Sequence, residues 1–298
     1  MSQNLSDNVG GRGALYTGLE NKVVLVTGGT RGIGAEIVRQ FAYQGSYVAF
    51  LGRNKERAKA LLEELRSVQH IPVYAQVDLL VELSTVEGIS FVTEYARTAT
   101  GTSHIDVLVN CAGANDNVGI GAGLAQIMRS LGRNLGQYLH VTSLCWNYLK
   151  AAPVESIESV ELRGNVINIG SKTGDVGQKG SWGYSASKGG ITAFTFTAAR
   201  EGLPVGIRVN QVNPSEVDGD HYREWADGAF PGKAEATIAS IGRGIPLGGR
   251  MTTEAEIAYT VLFLASNRLS SATTGQIIRP NGGHPQLNEH GSNPHVAR

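Results

Sequence analysis

Tyr184 and Lys188 lie four positions apart in GYSASKGG (183–190), a segment made otherwise of glycine, serine and alanine. Residues four apart on a helix share one face, so the phenol and the ammonium can reach the same point. A free tyrosine has a pKa of about 10 and is a poor base at neutral pH, but a nearby cation favours the phenolate and lowers that pKa. The pair is therefore either a tuned acid/base or a tyrosine that packs beside a surface lysine.

A glycine-rich segment, TGGTRGIG (27–34), follows the apolar run KVVLVT (22–27) and precedes a stretch of helical pattern. Gly28, Gly32 and Gly34 allow a sharp turn, so that a pyrophosphate can approach backbone N–H groups at the start of the helix. A glycine motif alone is weak evidence. Its place between a first strand and a first helix favours a dinucleotide site.

Two arginines indicate which dinucleotide this site prefers. The second predicted strand ends in LGRN, which places Arg53 where an acidic residue would bind a ribose 2′-hydroxyl, and Arg31 lies inside the glycine turn. Arginine at this position accommodates a 2′-phosphate. The sequence therefore predicts NADP(H) as the preferred cofactor, with NAD(H) as the alternative. In the competing interpretation Arg53 is an ordinary surface residue.

The elements that must position these residues alternate between short apolar strands and helices. The predicted strands cover residues 22–27, 46–52, 71–78, 104–110, 165–170, 206–213 and 276–280. The predicted helices cover residues 32–44, 55–68, 84–100, 124–150, 184–201 and 254–265. Apolar runs rich in valine and isoleucine, separated by helices, indicate a parallel sheet covered on both faces. We predict an α/β fold with a single doubly wound parallel sheet of the Rossmann type, whose ligand lies at the carboxyl ends of the strands.

Composition argues against several classes of partner. The 298 residues include 26 basic and 26 acidic side chains, so neither a nucleic-acid nor a membrane partner is expected. Only two cysteines occur, which favours a reducing cytoplasm, and no metal site is expected. The N-terminal residues lack the apolar core of a signal peptide, and no apolar run approaches the roughly 20 residues of a membrane span. We predict one domain over residues 21–284, between a flexible tail (1–20) and a C-terminal tail (285–298).

The order of these motifs, over about residues 20–285, resembles the short-chain dehydrogenase/reductase family. The glycine spacing G-x-x-x-G-x-G fits that family's phosphate turn, and NCAG (110–113) fits its N-N-A-G with Cys111 in place of asparagine. A serine thirteen positions before the tyrosine of Y-x-x-x-K completes the pattern. The resemblance implies an oxidoreductase of hydroxyl and carbonyl groups, and its implied catalytic residues are Asn134, Ser171, Tyr184 and Lys188.

The resemblance also implies a role for each of these residues. Tyr184 exchanges a proton with the reacting oxygen, which Ser171 fixes. Lys188 binds the nicotinamide ribose and, with the positive nicotinamide ring, lowers the pKa of the tyrosine. Asn134 anchors a water that leads to Lys188, or else is only a residue that bends its helix. The implied cofactor-binding residues are Gly28, Arg31, Gly32, Ile33, Gly34, Arg53, Asp78, Leu79, Asn110, Ala112, Gly113, Tyr184, Lys188, Pro214 and Val217.

Two positions depart from the family pattern after the sixth strand, where P-G-x-x-x-T is usual and this chain reads PSEVDG (214–219). Ser215 replaces a glycine. Gly219 stands where a threonine often holds the nicotinamide carboxamide. Both departures bear on how the nicotinamide is placed, and neither removes the acid/base residues.

Three further segments resemble bacterial short-chain sugar dehydrogenases of the L-fucose dehydrogenase type: AGANDNVGIGAG (112–123), SKTGDVGQKGSWGYSASKGG (171–190) and NPSEVDGDHYREW (213–225). Such enzymes oxidise the anomeric hydroxyl of an aldose to a lactone. Residues suited to sugar hydroxyls or a sugar ring are Asn115, Asp116, Trp182, Glu216, His221 and Trp225. The alternatives are a plain turn at Asn115 and Asp116, a solvated carboxylate at Glu216, and core or oligomer contacts for the tryptophans.

Three functions therefore compete. The first is an NADP-preferring dehydrogenase of an aldose such as L-fucose. The second is an NADPH-dependent reductase of a 3-oxoacyl thioester or another ketone, against which the lack of basic residues around the substrate loop, apart from Arg223, argues mildly. The third is a non-catalytic nucleotide-binding module. For the enzymes the partners are a small-molecule substrate and, as the resemblance implies, further copies of the chain in a homotetramer or dimer formed by the helices at 124–150 and 184–201.

Overall fold

The protein was analysed as a computed structural model that describes residues 16–284. Its strands are β1 (Val23–Thr27), β2 (Tyr47–Gly52), β3 (Val73–Gln76), β4 (Val107–Asn110), β5 (Glu155–Ile157), β6 (Val160–Leu162), β7 (Asn165–Ile169), β8 (Arg208–Val212), β9 (Val217–Asp218), β10 (Thr252–Thr253) and β11 (Ile277–Ile278). Its helices are α1 (Gly32–Tyr43), α2 (Lys55–Glu64), α3 (Glu82–Thr100), α4 (Leu124–Leu131), α5 (Gln137–Lys150), α6 (Thr173–Val176), α7 (Trp182–Gly202), α8 (Asp220–Ala229), α9 (Ala234–Arg243), α10 (Glu254–Ala265) and α11 (Asn267–Ser270).

Seven of these strands form one parallel sheet in the order β11–β8–β7–β4–β1–β2–β3. Val24 of β1 pairs with Val48 of β2 on one side and with Val107 of β4 on the other. The strand order reverses at β1, and a ligand cleft opens at the carboxyl ends of the strands where this reversal occurs. The predicted doubly wound parallel sheet is confirmed.

Both faces of the sheet are covered, because successive strand residues point to opposite sides. Val24 packs in a core with Phe41 of α1 and Val261 of α10, whereas Leu25 packs in a second core with Val141 of α5. Each face thus buries its own apolar layer. The strands consequently read as continuous apolar runs and not as an alternating pattern.

The predicted tails fall mostly outside the described residues, which leave out 1–15 and 285–298. Leu19, which the sequence assigned to the N-terminal tail, is buried and packs in the same core as Phe41. Ser46 Oγ donates a hydrogen bond to the carbonyl oxygen of Leu19 at 2.7 Å. The last residues before β1 therefore belong to the folded body.

The helix predicted over 124–150 is interrupted. A π-helical turn at Gly132–Gly136 separates α4 from α5. Glycine is a weak helix former, and single π-helical turns inside helices are frequent at functional sites. The turn carries Asn134, one of the predicted catalytic residues, into the interior.

The insertion at 154–164 forms the antiparallel hairpin β5–β6, whose turn residues Glu158 and Ser159 have positive φ values of 45° and 70°. Glu155 pairs with Lys22 at 2.5 Å, just before the start of β1. The hairpin therefore lies at the amino ends of the strands, and none of its residues lines the cleft. The sequence did not predict α8 and α9. Helix α8 packs against β9 and against α9, and its residues Tyr222 and Trp225 line the cleft.

Candidate active site

Ser171, Tyr184 and Lys188 come together at the carboxyl end of β7. Ser171 is the second residue after β7, and the other two lie on adjoining turns of α7. Ser171 and Tyr184 are joined by a side-chain hydrogen bond. Thr173 fixes the serine, since its backbone N–H donates to Ser171 Oγ at 3.1 Å and its hydroxyl lies 2.6 Å from the same atom.

Lys188 is 3% exposed and is held by the strand below it. Its Nζ donates to the carbonyl oxygen of Ile169 at 2.8 Å and lies 3.5 Å from the Tyr138 hydroxyl, which itself donates to the same carbonyl at 3.0 Å. Burial lowers the pKa of Lys188 from 10.5 to about 8. The ammonium nitrogen lies 5.6 Å from the centre of the Tyr184 ring, so the predicted pairing of the two residues is present.

The pKa of Tyr184 differs from the expectation. Burial raises it from 10.0 to about 12, and the hydrogen bond with Ser171 opposes that rise only in part. The protein alone therefore favours the neutral phenol. Because a positive charge beside the ring would favour the phenolate, the lowered value expected from the sequence requires the nicotinamide cation as well as Lys188.

Asn134 is buried in the π-helical turn and connects it to the loop after β4. Its Oδ1 accepts a hydrogen bond from the backbone N–H of Ala114 at 2.9 Å, and its Nδ2 donates to the carbonyl oxygen of Ser130 at 3.2 Å. In this structure Asn134 positions the loop. Its implied part in a water relay to Lys188 stays a prediction.

The glycine turn lies at the carboxyl end of β1 and fits the phosphates of a dinucleotide. A Cβ on Gly28 would come within 2.7 Å of the Ala112 backbone, and one on Gly34 would collide with the carbonyl oxygen of Gly28. Thr27 braces the turn, since its Oγ1 accepts hydrogen bonds from the backbone N–H groups of Cys111 at 3.0 Å and of Ala112 at 3.3 Å. The cradle holds backbone N–H groups close to where a pyrophosphate would bind.

A single cleft of about 1350 Å³ runs from this turn to the catalytic residues. The predicted cofactor residues that line it are Gly28, Arg31, Gly32, Ile33, Gly34, Arg53, Asp78, Leu79, Ala112, Gly113, Tyr184, Lys188, Pro214 and Val217. Asn110 does not line the cleft. It is buried behind it, where its Nδ2 donates to Thr142 Oγ1 at 2.9 Å and to Asn168 Oδ1 at 3.0 Å.

The end of the cleft beyond Ser171 is polar and carries both charge signs. Lys172 forms a salt bridge with Glu216, and the side chains are 21% and 12% exposed. Tyr222 is hydrogen-bonded to the same carboxylate, and burial followed by this negative charge raises the pKa of the phenol. Trp225 packs edge-on against Tyr222, with 5.1 Å between the ring centres.

The six predicted substrate residues divide into two groups. Asn115, Glu216 and Trp225 line the cleft. Asp116 instead accepts a hydrogen bond from Ser130 Oγ at 2.9 Å, which ties its loop to α4. Trp182 is the first residue of α7, is 57% exposed and is not among the residues that line the cleft, so its contact with a sugar ring stays a prediction. The backbone of His221 lies in α8, and its side chain is outside the described part of the chain.

Ser215 and Gly219, the two departures from the family pattern, each lie against another residue of the cleft. Ser215 Oγ lies 2.8 Å from Nδ1 of His284, and both residues line the cleft. A side chain at Gly219 would collide with the carboxylate of Glu254, which reaches in from the start of α10. Glu254 thus fills the space of a side chain at position 219.

The cleft residues that the sequence did not point to include Arg57, Lys172, Tyr222, Glu254 and His284. Arg57 could have been found, because it lies four positions after Arg53, in the first turn of α2. Lys172 follows Ser171 directly. Glu254 and His284 come from distant elements, so no local spacing indicates them.

Among residues 16–284 no group of three or more His, Cys, Asp or Glu side chains is arranged to hold a metal ion. Within the same range no helix combines the length and apolar character that crossing a membrane requires.

Comparison with known proteins gives consistent matches. The family model for short chain dehydrogenases matches residues 22–229. The chain is 34% identical to an L-fucose dehydrogenase of Mus musculus over 272 residues, which cover 91% of this chain and 90% of the relative. It is also 34% identical to a 3-oxoacyl-acyl-carrier-protein reductase of Chlamydia muridarum over 268 residues, with coverage of 89% and 98%. The crystal structure of Cj0485 dehydrogenase superposes with a TM-score of 0.79 at 33% identity, covering 92% of this chain and 97% of the other.

Proposed function

The chain belongs to the short-chain dehydrogenase/reductase family, and we propose that within it the protein is an NADP(H)-preferring dehydrogenase of an aldose such as L-fucose. Membership makes it an NAD(P)-dependent oxidoreductase that acts on a CH–OH group of a small molecule. The non-catalytic alternative is thereby excluded.

The ion pair of Lys172 with Glu216, directly beyond Ser171, is the observation that best supports an aldose. An ammonium donates hydrogen bonds and a carboxylate accepts them, and together they carry no net charge. A sugar is uncharged and offers adjacent hydroxyls that both donate and accept. A largely buried pair of this kind is costly to leave unsatisfied, which favours a polyhydroxylated substrate over an apolar one.

The catalytic residues have matching parts to play in oxidation. Ser171 holds the anomeric hydroxyl oxygen, and Tyr184 as phenolate takes its proton while the hydrogen on the anomeric carbon leaves as hydride. The bound nicotinamide supplies the hydride acceptor. Lys188 keeps a positive charge near the phenolate, and the lactone is the product.

Three arginines support the preference for NADP(H). Arg31, Arg53 and Arg57 line the nucleotide end of the cleft, at the glycine turn and after β2. Guanidinium groups pair with phosphate through two hydrogen bonds, which a ribose hydroxyl does not match.

Reduction of a 3-oxoacyl thioester is the second candidate, and one observation favours it. Arg133 and Lys179 line the cleft in addition to Lys172, which is paired with Glu216, so the cleft carries more basic groups than the sequence indicated. Arg223 itself is paired with Asp218 at 2.8 Å and with Glu235. A phosphopantetheine or coenzyme A thioester carries phosphates that such cations can bind.

We also propose that residues 21–284 form one domain, to which the core residue Leu19 adds, that copies of the chain assemble as a dimer or tetramer, and that the protein is cytoplasmic. The assembly is supported by exposed apolar side chains on α4, α5 and α7, where Met128, Leu139 and Phe196 are 57%, 41% and 42% exposed. The cytoplasm is supported by two free thiols, Cys111 and Cys145.

The deciding experiment is a panel of initial rates measured from reduced-nicotinamide absorbance. L-Fucose and related aldoses are offered with NADP⁺ or NAD⁺, and acetoacetyl-coenzyme A is offered with NADPH. Turnover of an aldose with NADP⁺ preferred is the expected result. No turnover of any aldose, together with turnover of the thioester, would contradict the aldose dehydrogenase and favour the 3-oxoacyl thioester reductase.

A further inference from the structure

Glu224 of α8 joins two arginines that belong to the nucleotide half of the cleft. Its Oε2 lies 3.0 Å from Arg31 Nη1, and its Oε1 lies 3.0 Å from Arg57 Nη2. The two arginines come from the glycine turn and from the first turn of α2. The hydrogen bond with Arg57, followed by the charges of both arginines, lowers the pKa of Glu224. One carboxylate therefore occupies the place where two guanidinium groups converge.

This place is suited to a phosphate group. Arg31 and Arg57 line the cleft beside the end of β2, the position that distinguishes a ribose 2′-hydroxyl from a 2′-phosphate in folds of this kind. Two guanidinium groups that converge on one anion suit a phosphate as well as a carboxylate, and the phosphate carries more charge. Glu224 thus occupies a phosphate site with an anion from the protein itself.

The contact is weak enough to be exchanged. The side chains of Arg31, Arg57 and Glu224 are 38%, 40% and 49% exposed, and exposed ion pairs contribute little to stability. A phosphate that enters between the arginines gains two charge-assisted partners and repels the Glu224 carboxylate. The carboxylate must then leave.

Its departure would affect the other end of the cleft through α8. This helix also carries Tyr222 and Trp225, which line the substrate end. The Glu224 contacts tie α8 to the nucleotide half, whereas Arg223 ties it separately to Asp218 and to Glu235 of α9. Removal of the first tie leaves the second in place.

On the basis of the proposed use of NADP(H), we propose that Glu224 is a resident competitor for the 2′-phosphate, and that its displacement by NADP(H) releases α8 from the nucleotide half of the cleft. NAD(H) has a hydroxyl at this position and leaves Glu224 bound to Arg31 and Arg57. The two cofactors then give the substrate end of the cleft different mobility.

Glu224→Gln tests the competition, with Glu235→Gln as the matched control that removes the same charge from the other tie of α8. Calorimetry gives the dissociation constants of adenosine 2′,5′-bisphosphate and of ADP for each protein. We expect Glu224→Gln to bind the 2′,5′-bisphosphate about 3- to 10-fold more tightly, in keeping with the loss of two exposed ion pairs. ADP should change less than about twofold, and Glu235→Gln should change neither constant.

Hydrogen exchange of the backbone amides of residues 220–229 tests the release. NADP⁺, and not NAD⁺, should accelerate exchange in the wild-type protein, and Glu224→Gln should show the faster exchange without nucleotide. Preference for the 2′-phosphate with equal affinities in wild type and Glu224→Gln would overturn this inference alone. Absence of that preference in both proteins would overturn the proposed use of NADP(H), and this inference with it.

Discussion

The ammonium nitrogen of Lys188 lies 2.8 Å from the carbonyl oxygen of Ile169, the last residue of β7. This hydrogen bond joins the helix that carries Tyr184 to the strand that leads to Ser171. The relative positions of Tyr184 and Ser171 are thus fixed by Lys188. The lysine that makes the bond is buried, and this burial has a cost that can be measured.

Replacing Lys188 by Met is expected to abolish hydride transfer and to stabilise the fold at neutral pH. Burial lowers the pKa of Lys188 from 10.5 to about 8, which corresponds to a penalty of roughly 3 kcal/mol. The unfolded chain binds more protons than the folded one between these values, so the penalty is complete below about pH 8 and disappears as the pH rises towards 10.5. Ile169 keeps a partner in the Tyr138 hydroxyl.

Urea unfolding of wild type and Lys188→Met at pH 7 and pH 10 measures this effect. The free energy of unfolding of the variant should exceed that of wild type at pH 7 by up to roughly 3 kcal/mol, and the difference should shrink at pH 10. Lys59→Met, which alters an exposed lysine of α2, should change neither value. A variant less stable than wild type at pH 7 would show that the Ile169 contact outweighs the desolvation.

The phenol of Tyr184 should titrate at a lower pH when NADP⁺ is bound. In the protein alone burial raises its pKa to about 12, and a cationic nicotinamide ring beside it favours the phenolate. Difference absorbance of tyrosinate between wild type and Tyr184→Phe, with and without NADP⁺, isolates this residue. Oxidation should accelerate with rising pH, because the phenolate is the base. A titration curve that NADP⁺ does not move would show that the cofactor does not lower the pKa of Tyr184.

Tyr184→Phe should lower kcat by about 10²- to 10⁴-fold, the usual contribution of general acid/base catalysis, and leave the dissociation constant of NADP⁺ nearly unchanged. Steady-state rates and nucleotide titration together check this pair of outcomes. The matched control is Tyr259→Phe, which alters an exposed tyrosine of α10. A comparable loss of rate in both variants would show that Tyr184 is not the general acid/base.

Gly34→Ala should weaken nucleotide binding. The added methyl group would collide with the carbonyl oxygen of Gly28, which is part of the rigid backbone of the glycine turn. We expect the dissociation constant of NADP⁺ to rise at least about tenfold, because close backbone approach is what the turn provides. Gly228→Ala, which meets nothing within 4 Å, is the matched control for calorimetric titration and should bind normally. Normal binding by Gly34→Ala would place the phosphates elsewhere.

Glu216→Gln should lower kcat/KM for the aldose about 10- to 100-fold, since a hydrogen bond to a charged group contributes about 1.5–3 kcal/mol. The affinity for NADP⁺ should stay the same, because the loss falls at the substrate end of the cleft. Glu235→Gln, with a carboxylate 82% exposed on α9, should not change the rates. An unchanged kcat/KM in Glu216→Gln would exclude the Lys172–Glu216 pair from substrate recognition.

The local sequence predicted those parts of the site that depend on spacing within one element. The positions of Tyr184 and Lys188 on one helix face follow from helical periodicity. The glycine turn between β1 and α1 follows from its glycines and from its place between a strand and a helix. Glu254 and His284 reach the cleft from distant elements, and only the folded chain brings them there. Trp182 illustrates the reverse case, because its flat ring suggested a sugar contact, whereas it is 57% exposed at the start of α7 and is not among the residues that line the cleft.

The break at Gly132–Gly136 was also beyond local pattern. Apolar periodicity continues across it, and the turn is stabilised by the bonds of Asn134 to Ala114 and Ser130. A tertiary contact thus decides the geometry of that helix. The boundaries of several strands were predicted longer than they are, since apolar runs continue beyond the last ladder hydrogen bond.

Transfer of deuterium from L-fucose labelled at the anomeric carbon to NADP⁺ is the most direct test of the central claim. We expect the label at C4 of the nicotinamide, by NMR, together with the corresponding lactone, in wild type and not in Tyr184→Phe. Other labelled aldoses extend the test to the substrate class. Failure of every labelled aldose to deliver deuterium, in a protein that binds NADP⁺, would contradict the proposed sugar dehydrogenase.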